Sequence, residues 1–119
     1  MNKFKELIVW QKTIGFVTKV YELTNLFPKD ELYGITSHIR RSSVSIPSNI
    51  AEGAGRKTNK EFSHFLDITR GSTYELETQL IISRNLDFID ETSFSEIIFE
   101  LEEIQKMITG LQKSLITHN

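Results

Sequence analysis

Apolar residues recur along this chain in steps of three and four, in four stretches parted by short interruptions. In the first stretch Leu7, Trp10, Ile14, Val17 and Tyr21 carry the spacing of one helix face. A second row, Val9, Phe16, Val20, Leu23 and Phe27, follows about 120° further round the same helix at ~100° per residue. A helix with two apolar seams needs two sets of neighbours, whereas a bundle usually occupies one. The expectation is a helix over about 5–26. Its first seam meets the core, and Phe16, Val20, Leu23 and Phe27 meet a neighbouring subunit, a deeper core position being the alternative.

Phe27-Pro28 stops this pattern, because a residue before proline avoids the α region. A second helix is expected over 30–51, led by the acidic pair Asp30-Glu31 and striped by Leu32, Ile35, Ile39, Ile46 and Ile50. Pro47 lacks an N–H and crowds the carbonyl of Ser43, so the helix is expected to kink there, a full break being the alternative. Ser42, Ser43, Ser45 and Ser48 stand ready to supply hydroxyl hydrogen bonds around the defect. A third helix, 59–86, begins at the reciprocal cap Thr58-Asn59-Lys60-Glu61 and turns Phe62, Leu66, Thr69, Thr73, Leu76 and Leu80 inward. Gly71 in its centre costs about 1 kcal/mol in helix propensity, which the close approach of another helix would offset. The fourth, 94–116, follows a similar pattern at Ser93-Phe94-Ser95-Glu96, and its stripe runs from Phe94 through Ile97, Leu101, Ile104, Ile108 and Leu111 to Leu115. No strand pattern competes. The fold class is all-α, an antiparallel up-down-up-down four-helix bundle, with residues 1–119 forming one domain.

Composition agrees with a globular chain: 39% apolar and 25% charged residues, without a cysteine for disulfides or thiolate chemistry. No apolar run reaches the ~20 residues that span a bilayer, and no signal pattern opens the chain, so a cytoplasmic location is expected. The net charge of −2 hides an asymmetry. Residues 1–60 hold ten Lys and Arg against five Asp and Glu, while residues 61–119 hold four against eleven. Opposite halves of this kind attract within a subunit, between subunits or toward a partner.

Several stretches mimic chemistry. Gly53-Ala54-Gly55-Arg56-Lys57-Thr58 has the flavour of a phosphate loop, but a helix precedes it and Arg56 stands where that motif needs glycine. Glu61 and His64 have di-iron spacing without a second copy, and His64 lies opposite the apolar face. His38 and His118 do not cluster with it. Arg40-Arg41-Ser42-Ser43 looks like a basic kinase target inside a helix. No metal, cofactor, small-molecule substrate or catalytic group is assigned, and the chain reads as a non-enzyme. The better candidates are Arg56, Lys57 and Lys60 at a helix start, where free N–H groups favour an anion. Arg40 and Arg41 join them if the kink brings them near. The competing expectation is that these arginines pair with Glu52, Glu75 or Glu77 and lock the loop.

The runs Phe4 to Lys12, Phe27 to Gly34 and Arg40 to Gly55, above all Ser45-Ile46-Pro47-Ser48-Asn49-Ile50-Ala51-Glu52-Gly53, resemble the bacterial four-helix-bundle proteins encoded in 23S rRNA intervening sequences. Glu61-Phe62, Phe65-Leu66, Gly71-Ser72 and Glu75 to Leu80 continue the likeness. The resemblance implies a ring-like homopentamer with no attached enzymatic activity. It extends to accessory variability proteins of diversity-generating retroelements, which share the bundle and bind nucleic acid but are strongly basic, unlike this chain at pI 5.9. Two functions follow as expectations: an oligomeric scaffold that binds RNA or DNA through the basic residues, or a protein–protein adaptor ring with no nucleic-acid affinity.

Overall fold

The computed structural model describes residues 3–117, and His118 lies outside them. A single 3₁₀ turn, Phe4–Glu6, precedes an extended Leu7, so α1 begins at Ile8 and runs to Thr24. Beyond Phe27-Pro28 the segment Lys29–Glu31 makes another 3₁₀ turn rather than the first turn of a helix. Gly34 (φ −108°, ψ −120°) interrupts helical geometry, which moves the start of α2, Ile35–Ala54, five residues past the expected one. α2 runs through Pro47 as one element, which excludes the full break.

The α3 helix, Asn59–Asn85, starts as its cap predicts, with the Glu61 N–H donating to Thr58 Oγ1 at 3.1 Å. Two residues beyond its end, Asp87 adopts a left-handed φ of 63°. The N–H of Phe88 then reaches the Ser83 carbonyl and that of Asp87 the Arg84 carbonyl, a Schellman closure with aspartate in the usual glycine position. The α4 helix, Glu91–Thr117, starts three residues before the expected 94. Asp90 is its cap: one carboxylate oxygen accepts from the Ser93 N–H at 2.7 Å and the other from the Ser93 hydroxyl at 3.0 Å. Those two bonds hold the Asp90 carboxyl below its ordinary pKa. Ser93 is therefore a partner of the cap inside the first turn, and Ser93–Glu96 is not the boundary.

The helices pack in a closed cycle, α1 on α2, α2 on α3, α3 on α4 and α4 on α1, giving a four-helix bundle 47 Å long. Cross-helix hydrogen bonds give the directions. Ser45 meets Ser72 while Ser42 meets Glu75, and Gln105 meets Glu77 while Gln112 meets Ser63. One helix ascends as its neighbour descends in both pairs. The core is aliphatic, with Ile39, Ile46 and Ile50 of α2 facing Leu66, Leu76 and Leu80 of α3 and Leu101, Ile104 and Ile108 of α4.

On α1 the two seams are exchanged relative to expectation. Phe16, Val20 and Phe27 are buried inside the single chain, with Leu23 packed against them, so the row assigned to a neighbouring subunit is the α1 contribution to the core. Ile14 and Tyr21 of the other row are exposed, and Trp10 and Val17 are half-buried. Thr13 and Thr24 complete the inner row. Each donates its hydroxyl to a carbonyl of its own helix, Trp10 and Val20 respectively, and so enters the core without an unmet hydrogen bond. Gly71 also departs from expectation: it is exposed, with nothing within 4 Å of where a Cβ would stand. The close helix approach occurs at Gly53, whose absent Cβ would lie 2.6 Å from Phe65 Cβ and 3.0 Å from Phe62 Cδ1.

Candidate functional site

The basic residues singled out in the sequence divide between the two ends of α2. At the C-terminal end, Gly55 caps α2 with its N–H shared between the Ala51 and Glu52 carbonyls. Arg56 follows. Its Nη2 donates to Glu52 Oε1 at 3.0 Å, and its guanidinium lies 4.7 Å from the centre of the Phe65 ring. An ion pair one helical turn back and a cation–π contact thus engage the charge locally. For Arg56 the loop-locking expectation holds. Lys57 and Lys60 are exposed beside it.

Arg40 and Arg41 do not join this group. Arg40 precedes Arg56 by 16 residues in a continuous helix and the loop after it, a separation of roughly 24 Å at 1.5 Å per residue. The expected convergence through a kink is therefore corrected. Arg40 clamps the end of α1 to the start of α2. Its Nε donates to Thr24 Oγ1 and its Nη2 to Asn25 Oδ1, both at 2.9 Å, and it stands 4.8 Å from the Tyr21 ring centre. Arg41 is exposed. The serines near Pro47 are likewise used between helices: Ser42 Oγ donates to Glu75 Oε1 at 2.8 Å, and Ser45 Oγ shares a 2.6 Å hydrogen bond with Ser72 Oγ. Ser43 donates to its own helix at the Arg40 carbonyl. Glu75 and Glu77 bond to Ser42 and Gln105.

Below Arg40 lies a pocket of about 250 Å³, bounded by the end of α1, the Pro28 turn and the first turns of α2. Phe27, Pro28 and Leu32 make its apolar wall, and Asn25, Lys29, Thr36 and Arg40 its polar one. Thr36 Oγ1 is the buried side-chain polar atom without a hydrogen-bond partner among the described residues. The sequence marked Phe27-Pro28 as a helix stop and Arg40 as a basic candidate but not this pocket, because its residues come from three elements that meet only in the fold.

A second feature is a shallow groove of about 400 Å³ along the outside of α1 and α2, lined by Phe4, Trp10, Ile14, Val17, Val44 and Pro47. It continues toward Tyr21, Leu32 and Tyr33, past Arg40 and Arg41. Across the molecule Lys19 bridges to Glu100 of α4, whose hydrogen bond and charge raise the lysine pKa above its ordinary value. His64 is exposed, and no group of three potential metal ligands occurs among the described residues. None of the described helices is long and apolar enough to cross a membrane.

Comparison with known proteins places this arrangement. The fold is similar to a crystal structure of a protein of unknown function from the S23 ribosomal protein family of Bacteroides thetaiotaomicron, with a TM-score of 0.82. That likeness covers 89% of this chain and 99% of the other at 23% identity. None of the curated proteins matches the sequence. Residues 5–110 match the family described as 23S rRNA-intervening sequence protein. With nearly its whole length matched, the chain belongs to the 23S rRNA-intervening sequence protein family.

Proposed function

We propose that this protein is a non-enzymatic helical scaffold that assembles with copies of itself through the outer face of α1 and α2. The observation that carries this reading is the apolar row along the outer groove, exposed at Ile14 and Tyr21 and half-buried at Trp10 and Val17, and continued by the exposed Val44 and Tyr33. Burying one such side chain contributes about 1.5–3 kcal/mol, so a repeated row holds subunits together. α3 and α4 carry a different set, Tyr74 and Ile81 one heptad apart and Phe99. Joining two unlike faces is heterologous association, which makes rings when the rotation closes. Charge supports the same pairing, since the first half of the chain is basic and the second acidic. A homopentamer, as the family likeness implies, is one such ring. The nucleic-acid reading is less well supported, because Arg56 and Arg40 are engaged within the chain and the exposed Arg41, Lys57 and Lys60 stand at opposite ends of α2.

Light scattering on wild type, Ile14→Glu and Val20→Glu tests the proposal. Wild type should be an oligomer, and Ile14→Glu a folded monomer. Val20→Glu places an unpaired charge in the core, a loss of about 3–5 kcal/mol that unfolds the chain instead of releasing subunits. A wild-type monomer at tens of micromolar overturns the proposal. If that monomer also bound total RNA with a steep salt dependence lost in Lys57→Gln/Lys60→Gln, the nucleic-acid reading would replace it.

A further inference from the structure

We propose that the pocket between the end of α1 and the first turns of α2 binds a small organic monocarboxylate, its charge at Arg40 and Thr36 and its apolar body against Phe27 and Leu32. The first observation is the orphaned hydroxyl. Thr36 is 2% exposed and its Oγ1 has no partner among the described residues, while the other buried serine and threonine hydroxyls bond to a carbonyl of their own helix or to a side chain across the bundle. An unmet buried polar atom carries a standing penalty that a ligand oxygen removes. Thr36 also lines the pocket, but its Oγ1 is closed to solvent, so an entering ligand oxygen reaches it as the lining shifts.

The second observation is Arg40. Thr24 and Asn25 take its Nε and one Nη2 proton, which fixes the plane of the guanidinium on the pocket rim. Three further N–H groups remain for an acceptor, and the planar fork suits a carboxylate. Lys29 adds a second positive charge to the lining. Thr36 belongs to the first turn of α2, whose Gly34 N-cap offers no side-chain acceptor, so the positive end of the helix dipole is close.

Two further features narrow the ligand. The carboxylates of Asp30 and Glu31 belong to the turn beside the pocket, with Glu31 Oε1 next to Gly34 though neither acid lines the cavity. They oppose a doubly charged group, which favours a carboxylate over a phosphate dianion. The wall of Phe27, Pro28 and Leu32 in turn favours a ligand with an apolar body.

Calorimetric titration of the full chain with acetate, butyrate and benzoate tests the site, with benzamide and inorganic phosphate as comparison probes. Butyrate or benzoate should bind saturably and more tightly than acetate, benzamide or phosphate. Thr36→Val, nearly isosteric, should stay folded by circular dichroism and bind about tenfold more weakly or worse, while Thr36→Ser retains binding. The proposal is overturned if no carboxylate saturates, or if Thr36→Val binds as wild type does. It is equally overturned if benzamide or phosphate matches the best carboxylate.

Discussion

At its C-terminal end α2 presses Gly53 against Phe65 and Phe62, and the Arg56 that follows is tied back to Glu52 and stacked on Phe65. At its N-terminal end Gly34 provides no side-chain cap, Thr36 holds a buried hydroxyl without a partner, and a 250 Å³ pocket opens beside Arg40. Both ends carry an arginine held within the chain, but one end is closed by packing and the other keeps a buried hydroxyl unmet. The contrast shows why a cluster of charge in sequence is a poor guide to a binding site. Charge that finds a partner one turn away becomes structure, and ligand-binding capacity remains where donors are left over.

The largest effect that separates the ends should come from Gly53→Ala. Its methyl would enter within 2.6 Å of Phe65 Cβ, an overpacking that costs about 1–3 kcal/mol by urea unfolding. Gly71→Ala is the matched control. That site is exposed and open, so the same substitution should gain up to about 1 kcal/mol from helix propensity. If the two changes have equal effects, the closed C-terminal end is not closed by sterics.

Next in size is Thr36→Val without added ligand. Removing an unmet buried hydroxyl should raise stability by about 1 kcal/mol, seen as a higher urea midpoint. A loss of stability would mean that the hydroxyl is satisfied and the N-terminal end is closed as well. The smallest effect is expected for Arg56→Gln. Its ion pair is exposed at both partners, so pair and ring contact together should be worth well under about 1 kcal/mol. The ion-pair part should fade in molar salt; a salt-insensitive loss would assign the arginine's role to Phe65 alone.

Much of the fold was legible because helix periodicity reports directly on burial. The stripes of α3 and α4, and those of α2 from Ile35 onward, turn inward as their spacing predicts, and the Thr58 cap starts α3 at Asn59. Competition between similar local signals explains the errors. Asp90 and Ser93 both precede a helical run, and only the contacts show that the carboxylate is the cap and the serine its partner. The α1 seams have the same spacing, and a hydrophobic count undervalues the inner one because Thr13 and Thr24 enter the core with their hydroxyls turned to their own carbonyls. Glycine is ambiguous for a related reason: Gly53 and Gly71 differ only in what stands opposite, which is tertiary information. The pocket was invisible for the same cause, since Asn25, Lys29, Thr36 and Arg40 share no single motif and meet only when α1 turns back into α2.

The cross-helix bonds of Ser45 with Ser72, Gln105 with Glu77 and Gln112 with Ser63 are spaced along the bundle. An aliphatic interface alone would let a helix slide by one turn, about 5.4 Å, and find new hollows to fill. These bonds coincide at a single setting, as the marks of a vernier do. Angular errors at successive joints accumulate around a closed ring. In the ring proposed above, a subunit with one permitted setting would present the same wedge angle at every joint, and that constancy would let a small set of apolar contacts close the ring without a gap.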